Sequence, residues 1–120
     1  MSRKIALYLR DIHLFCGRVL EYTQNLSQSA LVADQRTYDA TLRNLELIGE
    51  AVKNIPEDVR VLYPHIEWRK IAGFRDVLAH AYFGVQDEVI WDVVANKIPE
   101  LFEVVTHAMP RYPLEDEAAL

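Results

Sequence analysis

The sequence predicts an all-α protein, an antiparallel bundle of four main helices with short additional helices. Apolar residues recur at spacings of three and four through most of the chain, which is the period of an amphipathic helix. Proline and glycine fall between these periodic stretches, and no stretch shows the alternation typical of strands. We therefore expect one helical domain over residues 1–110 and a flexible acidic tail over residues 111–120.

The first periodic stretch predicts a helix from Lys4 to about Asn25. Its apolar stripe consists of Ile5, Tyr8, Ile12, Phe15, Val19 and Tyr22. The serines of the linker Leu26–Ser29 can cap the next helix, whose stripe runs from Tyr38 to Val52 and is widened by Leu31, Ile48 and Ile55. Gly49 lies inside this second helix at a cost of about 1 kcal/mol relative to Ala, which favours a close approach of another backbone there. Glu50, beside it, could face a functional site, although a solvated helix carboxylate is the more usual role.

Four further helices follow. Pro56 with Glu57 and Asp58 behind it is a typical first turn, and Tyr63-Pro64 ends that short helix. The next helix is predicted from about Ile66 to Ala81, with core contacts at Trp68, Ile71, Phe74, Val77 and Leu78. Gly84 predicts its end, Asp87-Glu88 a new start and Pro99 an interruption, after which a last helix reaches about Met109.

The composition excludes several classes of protein. With 51% hydrophobic and 26% charged residues, the chain is that of a folded globular domain. A net charge of −5 argues against strong nonspecific nucleic-acid binding.

Cys16 is the single cysteine, so no disulfide framework is expected and a buried small hydrophobe is its usual role. No signal-type segment or membrane span is apparent, and we expect a cytoplasmic protein.

Chemically useful side chains concentrate in one otherwise apolar stretch, which contains Arg75, Asp76, His80 and Tyr82. Asp76 and His80 are i,i+4 neighbours on a helix, so the carboxylate can accept an imidazole N–H and fix its tautomer. Arg75 and His80 are about 140° and about 7.5 Å apart on an ideal helix. They can converge through the reach of Arg75, through loosening of the helix near Gly84, or in a dimer, which we favour.

The chemistry that this stretch offers is acid/base catalysis with stabilisation of an anion. No phosphate-binding loop, cysteine nucleophile or metal-ligand spacing accompanies it, so neither a metal nor a cofactor is expected. Arg69, Lys70 and His65 add local positive charge, which suits a phosphate backbone but is also common on a solvated surface.

The motif Arg-x4-His-x-Tyr, here Arg75, His80 and Tyr82, resembles the signature of HepT-type toxins in the HEPN superfamily. The resemblance covers roughly Leu42 to Phe102. It includes Ile48-Gly49-Glu50-Ala51, the stretch from Tyr63 to Phe74, and Val85 with Trp91 after the motif. This combination is much more specific than Arg-x4-His alone.

The resemblance implies a small all-α ribonuclease that is dimeric and independent of metals. It also implies a neighbouring minimal nucleotidyltransferase antitoxin that can adenylylate the motif tyrosine. Arg75 and His80 would be catalytic and Tyr82 the modified residue, while Asp76 would orient His80. The position after the arginine is often Asn in this family, and Asp76 adds negative charge near an RNA phosphate.

Two other functions are compatible with the sequence. The chain can be a non-catalytic binding module that docks the nucleotidyltransferase, with Arg75 holding only a phosphate. It can also be a helical dimerisation protein in which Asp76 and His80 form a structural hydrogen bond.

Overall fold

A computed structural model describes residues 2–80 and 85–114, apart from the side chains of Ser2 and His80. The elements are α1 (Ser2–Thr23), α2 (Gln28–Ala33), α3 (Gln35–Val52), α4 (Glu57–Arg60), α5 (Trp68–His80), α6 (Asp87–Asp92), a π-helical turn (Val93–Lys97), α7 (Ile98–Ala108) and a 3-10 turn (Met109–Arg111). Within the described ranges the chain forms no strand. The predicted all-α helical bundle is confirmed.

The first helix packs one face against both α3 and α7. Its buried face comprises Ile5, Ala6, Leu9, Ile12, Cys16 and Val19. Burial raises the pKa of the Cys16 thiol well above its ordinary range, as expected for a buried cysteine. The prediction that Tyr22 belongs to this stripe is wrong, because Thr23 is buried instead and donates to the Val19 carbonyl (2.8 Å). Asn25, with φ 63°, then turns the chain away from the helix.

Two side-chain caps divide the predicted second helix. Ser27 accepts from the backbone N–H of Ala30 (3.1 Å), which confirms the predicted serine cap and starts α2. Asp34 then accepts from the backbone N–H of Thr37 (3.2 Å) and starts α3. The separate helix α2 was not predicted, because its turn at Asp34 lacks proline and glycine.

The segment between α3 and α5 sets the position of the motif helix. Pro56 lies immediately before α4, and Arg60 donates to the carbonyls of Ile55 (2.8 Å) and Val52 (3.1 Å). Trp68 is buried, as predicted, and its indole N–H donates to the Tyr63 carbonyl (3.0 Å). The helix α5 therefore begins at Trp68, two residues later than predicted.

One predicted core contact of α5 is wrong. Leu78 is buried, but Val77 is 43% exposed on the surface of the chain. Residues 77 and 78 differ by about 100° around the helix, so both cannot face α3.

The prediction that Pro99 interrupts the last helical segment is also wrong. Pro99 lies in the first turn of α7, where its missing N–H is tolerated, and the π-helical turn precedes it. The Ile98 N–H bonds to the Val93 carbonyl, so the wider turn carries the chain into α7. Residues 87–108 thus form one continuous helical segment.

The described chain continues beyond the predicted end of the last helix. Tyr112 packs against the core, and its carbonyl accepts from Arg10 of α1 (3.1 Å). The acidic residues 115–120 lie outside the described residues, so the predicted flexible tail stays a prediction. Among the helices described, none combines the length and apolarity that a membrane crossing needs.

Candidate active site

The motif helix α5 packs on α3, and the two backbones approach closely at Gly49. A Cβ atom on Gly49 would lie 2.6 Å from the Arg75 Cβ and 3.1 Å from the Ile71 carbonyl oxygen. Real Cβ atoms essentially never lie within 3.0 Å of such a neighbour. The predicted close approach at Gly49 is confirmed, and the approaching residue is the motif arginine.

Two carboxylates hold the Arg75 side chain from either side. Its Nε lies 3.2 Å from Glu50 Oε2, and its Nη1 donates to Asp76 Oδ1 (2.9 Å). The pKa of Arg75 is raised, first by the hydrogen bond to Asp76 and then by the charge of Glu50. The side chain remains 40% exposed. The guanidinium is thus oriented and still reachable from solvent.

Glu50 therefore has a different role from the one the sequence favoured. It is 49% exposed, but it pairs with Arg75 across the helix contact. The sequence did contain an indication of this role. Glu50 directly follows Gly49, and a residue next to a close helix contact lies at the edge of that contact, within reach of the other helix.

The other motif residues are only partly described. Asp76 lies beside Arg75 and pairs with it, a contact that was not predicted from the sequence. His80 is the last residue of α5, and its side chain lies outside the described part, so the Asp76–His80 hydrogen bond stays a prediction. Tyr82 and Gly84 also lie outside it.

The backbone of α5 is helical from Trp68 through His80. Arg75 and His80 therefore start from helix positions about 140° apart. The backbone between these two residues is therefore not loosened, while residues 81–84, around Gly84, lie outside the described part. All three routes to convergence stay predictions.

A cavity of about 300 Å³ opens one turn before Arg75, between α3, α5 and the segment from α6 to α7. At its mouth Glu67 binds two lysines, Lys97 through Oε1 and Lys70 through Oε2, each at 2.8 Å. The hydrogen bonds and charges of Lys70 and Lys97 lower the pKa of Glu67 to about 2. Lys70 was recognised from the sequence only as a local positive charge. The ion-pair cluster was missed because Lys97 lies far from Glu67 in the sequence.

The remaining basic neighbours are plain surface groups. Arg69 and His65 are both exposed on the side of α5 that precedes the motif. Within the ranges that the structure describes, no three His, Cys, Asp or Glu side chains converge in a way that could hold a metal ion.

The fold and the site together define a helical bundle whose helix α5 presents an oriented, accessible guanidinium within the sequence motif Arg-x4-His. The sequence model of the HepT-like family, described as ribonuclease HepT-like, matches residues 12–108. This chain belongs to the HepT-like ribonuclease family.

Several relatives share most of their length with this chain. A Thermococcus cleftensis protein provisionally named ribonuclease HepT is 44% identical over 101 residues, covering 84% of this chain and 92% of that protein. A Methanocaldococcus jannaschii protein provisionally named as an RNase is 36% identical over 119 residues, covering 99% and 98% of the two chains. A Caldanaerobacter subterraneus protein, also provisionally named as an RNase, is 38% identical over 104 residues, covering 87% and 93%. No solved structure matches the chain significantly.

Proposed function

We propose that the protein is an endoribonuclease that cleaves RNA without a metal ion and acts as the toxin of a toxin–antitoxin pair in the cytoplasm. The observation that carries the proposal is the guanidinium of Arg75, which two carboxylates and the Gly49 contact hold in one place while leaving it accessible. Family membership and the relatives named as ribonucleases support the same function.

In the proposed reaction the ribose 2′-hydroxyl attacks the adjacent phosphorus. The bond to the 5′-oxygen breaks, which leaves a 2′,3′-cyclic phosphate on one product and a 5′-hydroxyl on the other. Arg75 binds the phosphate and stabilises the charge that develops on its oxygens, an interaction of the kind that contributes a few kcal/mol to lowering a barrier.

His80 transfers the protons. It removes one from the 2′-hydroxyl or donates one to the leaving 5′-oxygen, and Asp76 orients its ring. One histidine cannot do both at the same moment, so we propose a homodimer with a composite active site that contains both copies of His80.

Control of the activity is proposed at Tyr82. A minimal nucleotidyltransferase antitoxin transfers AMP from ATP to its phenolic oxygen, with pyrophosphate as the leaving group and loss of the phenolic proton. The added phosphate and bulk block the site at which RNA binds. A Tyr82→Phe protein keeps its ribonuclease activity and gains no AMP-sized mass when it is co-expressed with that partner. An adduct on Tyr82→Phe, measured by intact-mass spectrometry, contradicts this proposal.

The catalytic proposal is tested by comparing two histidine variants in an RNA cleavage assay. We expect His80→Ala to lose about a hundred-fold or more of the rate, as is usual for removal of a general acid or base. His65→Ala, an exposed histidine that precedes α5, is the matched control and keeps the wild-type rate. Equal rates for His80→Ala and the wild type contradict the proposal. If the purified wild-type protein cleaves no RNA but binds the nucleotidyltransferase, the result favours the binding-module function instead.

A further inference from the structure

The cavity beside the motif helix is a cleft that is partly open to solvent. Its volume is about 300 Å³, at the lower end of the range of sites for small organic ligands. Its inner wall is apolar and contains Leu45, Ile48, Ile71, Phe74, Val93 and Ile98. Phe74 and Val93 are only half-buried, so a ligand can reach them.

The cavity and Arg75 share the same stretch of α5. Ile71 lines the cavity and lies one turn before Arg75, about 6 Å along the helix axis. Phe74 directly precedes Arg75, and Ile48 directly precedes Gly49, against which Arg75 packs. The cavity and Arg75 therefore start from neighbouring faces of α5, about 100° apart, with Arg75 itself outside the cavity lining.

The mouth of the cavity offers both hydrogen-bond donors and acceptors. Lys70 and Lys97 donate, and Glu67 and Asp92 accept. A nucleobase has two flat faces that suit apolar walls and an edge that carries donors and acceptors together. Lys70 and Lys97 each donate to Glu67, and their ammonium groups have further protons that a ligand can accept. A purely aliphatic side chain of a protein partner would match the walls but could not accept from these ammonium groups.

We propose that this cavity is a nucleobase subsite, which holds one unstacked base of the RNA whose phosphate binds Arg75. The inference rests on the proposed function and deepens it, because a base pocket beside the phosphate site selects which nucleotide is cleaved. Proteins that read single-stranded RNA place bases against aromatic rings and bind their edges, and Phe74 and the polar mouth supply both elements.

The test measures binding apart from cleavage. Each of the four nucleoside 3′-monophosphates, AMP, CMP, GMP and UMP, is titrated into the protein while the methyl signals of Ile48 and Val93 are followed by NMR. We expect at least one nucleotide to shift both signals. Val89→Trp places a large ring at the mouth from a residue that is 45% exposed, and it should weaken that binding about ten-fold. Val61→Trp, at a 57% exposed valine outside this cavity, is the control and binds as the wild type does.

Phe74→Leu provides a second variant that keeps the wall apolar but removes the ring. It should lose about ten-fold in affinity if the ring stacks on the base. The proposal is overturned if none of the four nucleotides shifts either methyl signal, or if Val89→Trp and Phe74→Leu both bind like the wild type. A change of association state in Val89→Trp alone also overturns it, because the cavity is then an interface between copies.

Failure of this inference is distinguishable from failure of the proposed function. RNA cleavage by a protein that binds no nucleotide in the cavity overturns the subsite and leaves the ribonuclease in place. Nucleotide binding in the cavity by a protein that cleaves no RNA supports the subsite and contradicts the ribonuclease.

Discussion

Gly49 packs against Arg75 so closely that a Cβ atom on the glycine would lie 2.6 Å from the Cβ of the arginine. The Arg75 backbone nitrogen, 3.2 Å from the same position, belongs to the main chain and has no flexible end that could move aside. The absence of a side chain at residue 49 therefore fixes how deeply α5 sits on α3. It also fixes the place from which the guanidinium reaches Glu50.

This contact predicts opposite effects for two glycine-to-alanine substitutions. Gly49→Ala forces the helices apart and should lower the free energy of unfolding by about 1–3 kcal/mol. At Gly73 an added Cβ meets no atom within 4 Å. Gly73→Ala should therefore raise the free energy of unfolding by about 0.5–1 kcal/mol, since alanine favours the helix. Urea unfolding of both variants measures the difference, and equal effects at the two positions would contradict this account of the contact.

Glu50 neutralises part of the charge that an RNA phosphate would meet at Arg75. Glu50→Gln keeps an oxygen that can accept from Arg75 Nε but removes the charge, so we expect KM for RNA to fall about three-fold while kcat is kept. Steady-state cleavage at low and high salt measures this, and the gain should shrink at high salt. Glu103→Gln, at an exposed position of α7, is the control. A KM that is unchanged or raised in Glu50→Gln would show that the ion pair does not compete with RNA.

The two lysines on Glu67 make stability depend on pH in a defined window. The pKa of Glu67 is about 2 in the folded chain, against an ordinary value of 4.5. Because this pKa is lower in the folded chain than in the unfolded chain, the stabilisation of the fold by the ion pairs of Glu67 is complete above about pH 4.5. It is lost as the pH falls toward 2. At pH 7 the wild type should therefore be more stable than Glu67→Gln, and this difference should shrink at pH 3. Unfolding curves of both proteins at the two pH values measure the difference in the free energy of unfolding. A difference that does not change with pH would show that protonation of Glu67 is not coupled to folding.

Arg60 connects the end of α3 to the segment that leads into the motif helix. Its guanidinium donates to two carbonyls, those of Ile55 and Val52, and Arg60→Ala should cost about 2 kcal/mol of stability. Arg60→Lys should cost nearly as much, because one ammonium group lacks the fork that reaches both carbonyls. Arg69→Ala, at an exposed position of α5, should stay within about 0.5 kcal/mol of the wild type. Chemical denaturation separates these variants, and an Arg60→Ala protein as stable as Arg69→Ala would contradict the role of these two hydrogen bonds.

The fold was predictable from the sequence wherever burial alone decides the structure. The burial of Ile5, Ile12 and Val19 in α1, of Trp68 and of Cys16 follows from helical periodicity, and the glycine inside α3 indicated a close contact. The errors fall where the three-dimensional context decides. Pro99 is tolerated because it lies in the first turn of α7, directly after a π-helical turn, and the proline alone does not indicate this position.

The site was predictable only in part. The type and spacing of the motif residues indicated acid/base chemistry with an anion-binding group, but not what holds that group in place. Glu50 meets Arg75 across a helix contact, and Glu67 meets Lys97 from distant parts of the chain. Helical periodicity identifies neighbours within one helix and carries no information about pairs of this kind.

The most direct test of the central claim is the chemistry of the ends that cleavage leaves on RNA. The purified protein is incubated with RNA in excess EDTA, and the products are analysed by mass spectrometry, with Arg75→Ala and His80→Ala alongside. We expect a 2′,3′-cyclic phosphate and a 5′-hydroxyl, formed by the wild type at full rate and at least about a hundred-fold more slowly by each variant, which corresponds to about 3 kcal/mol of barrier. A 5′-phosphate end, loss of cleavage in EDTA, or full activity of either variant would contradict the proposed mechanism.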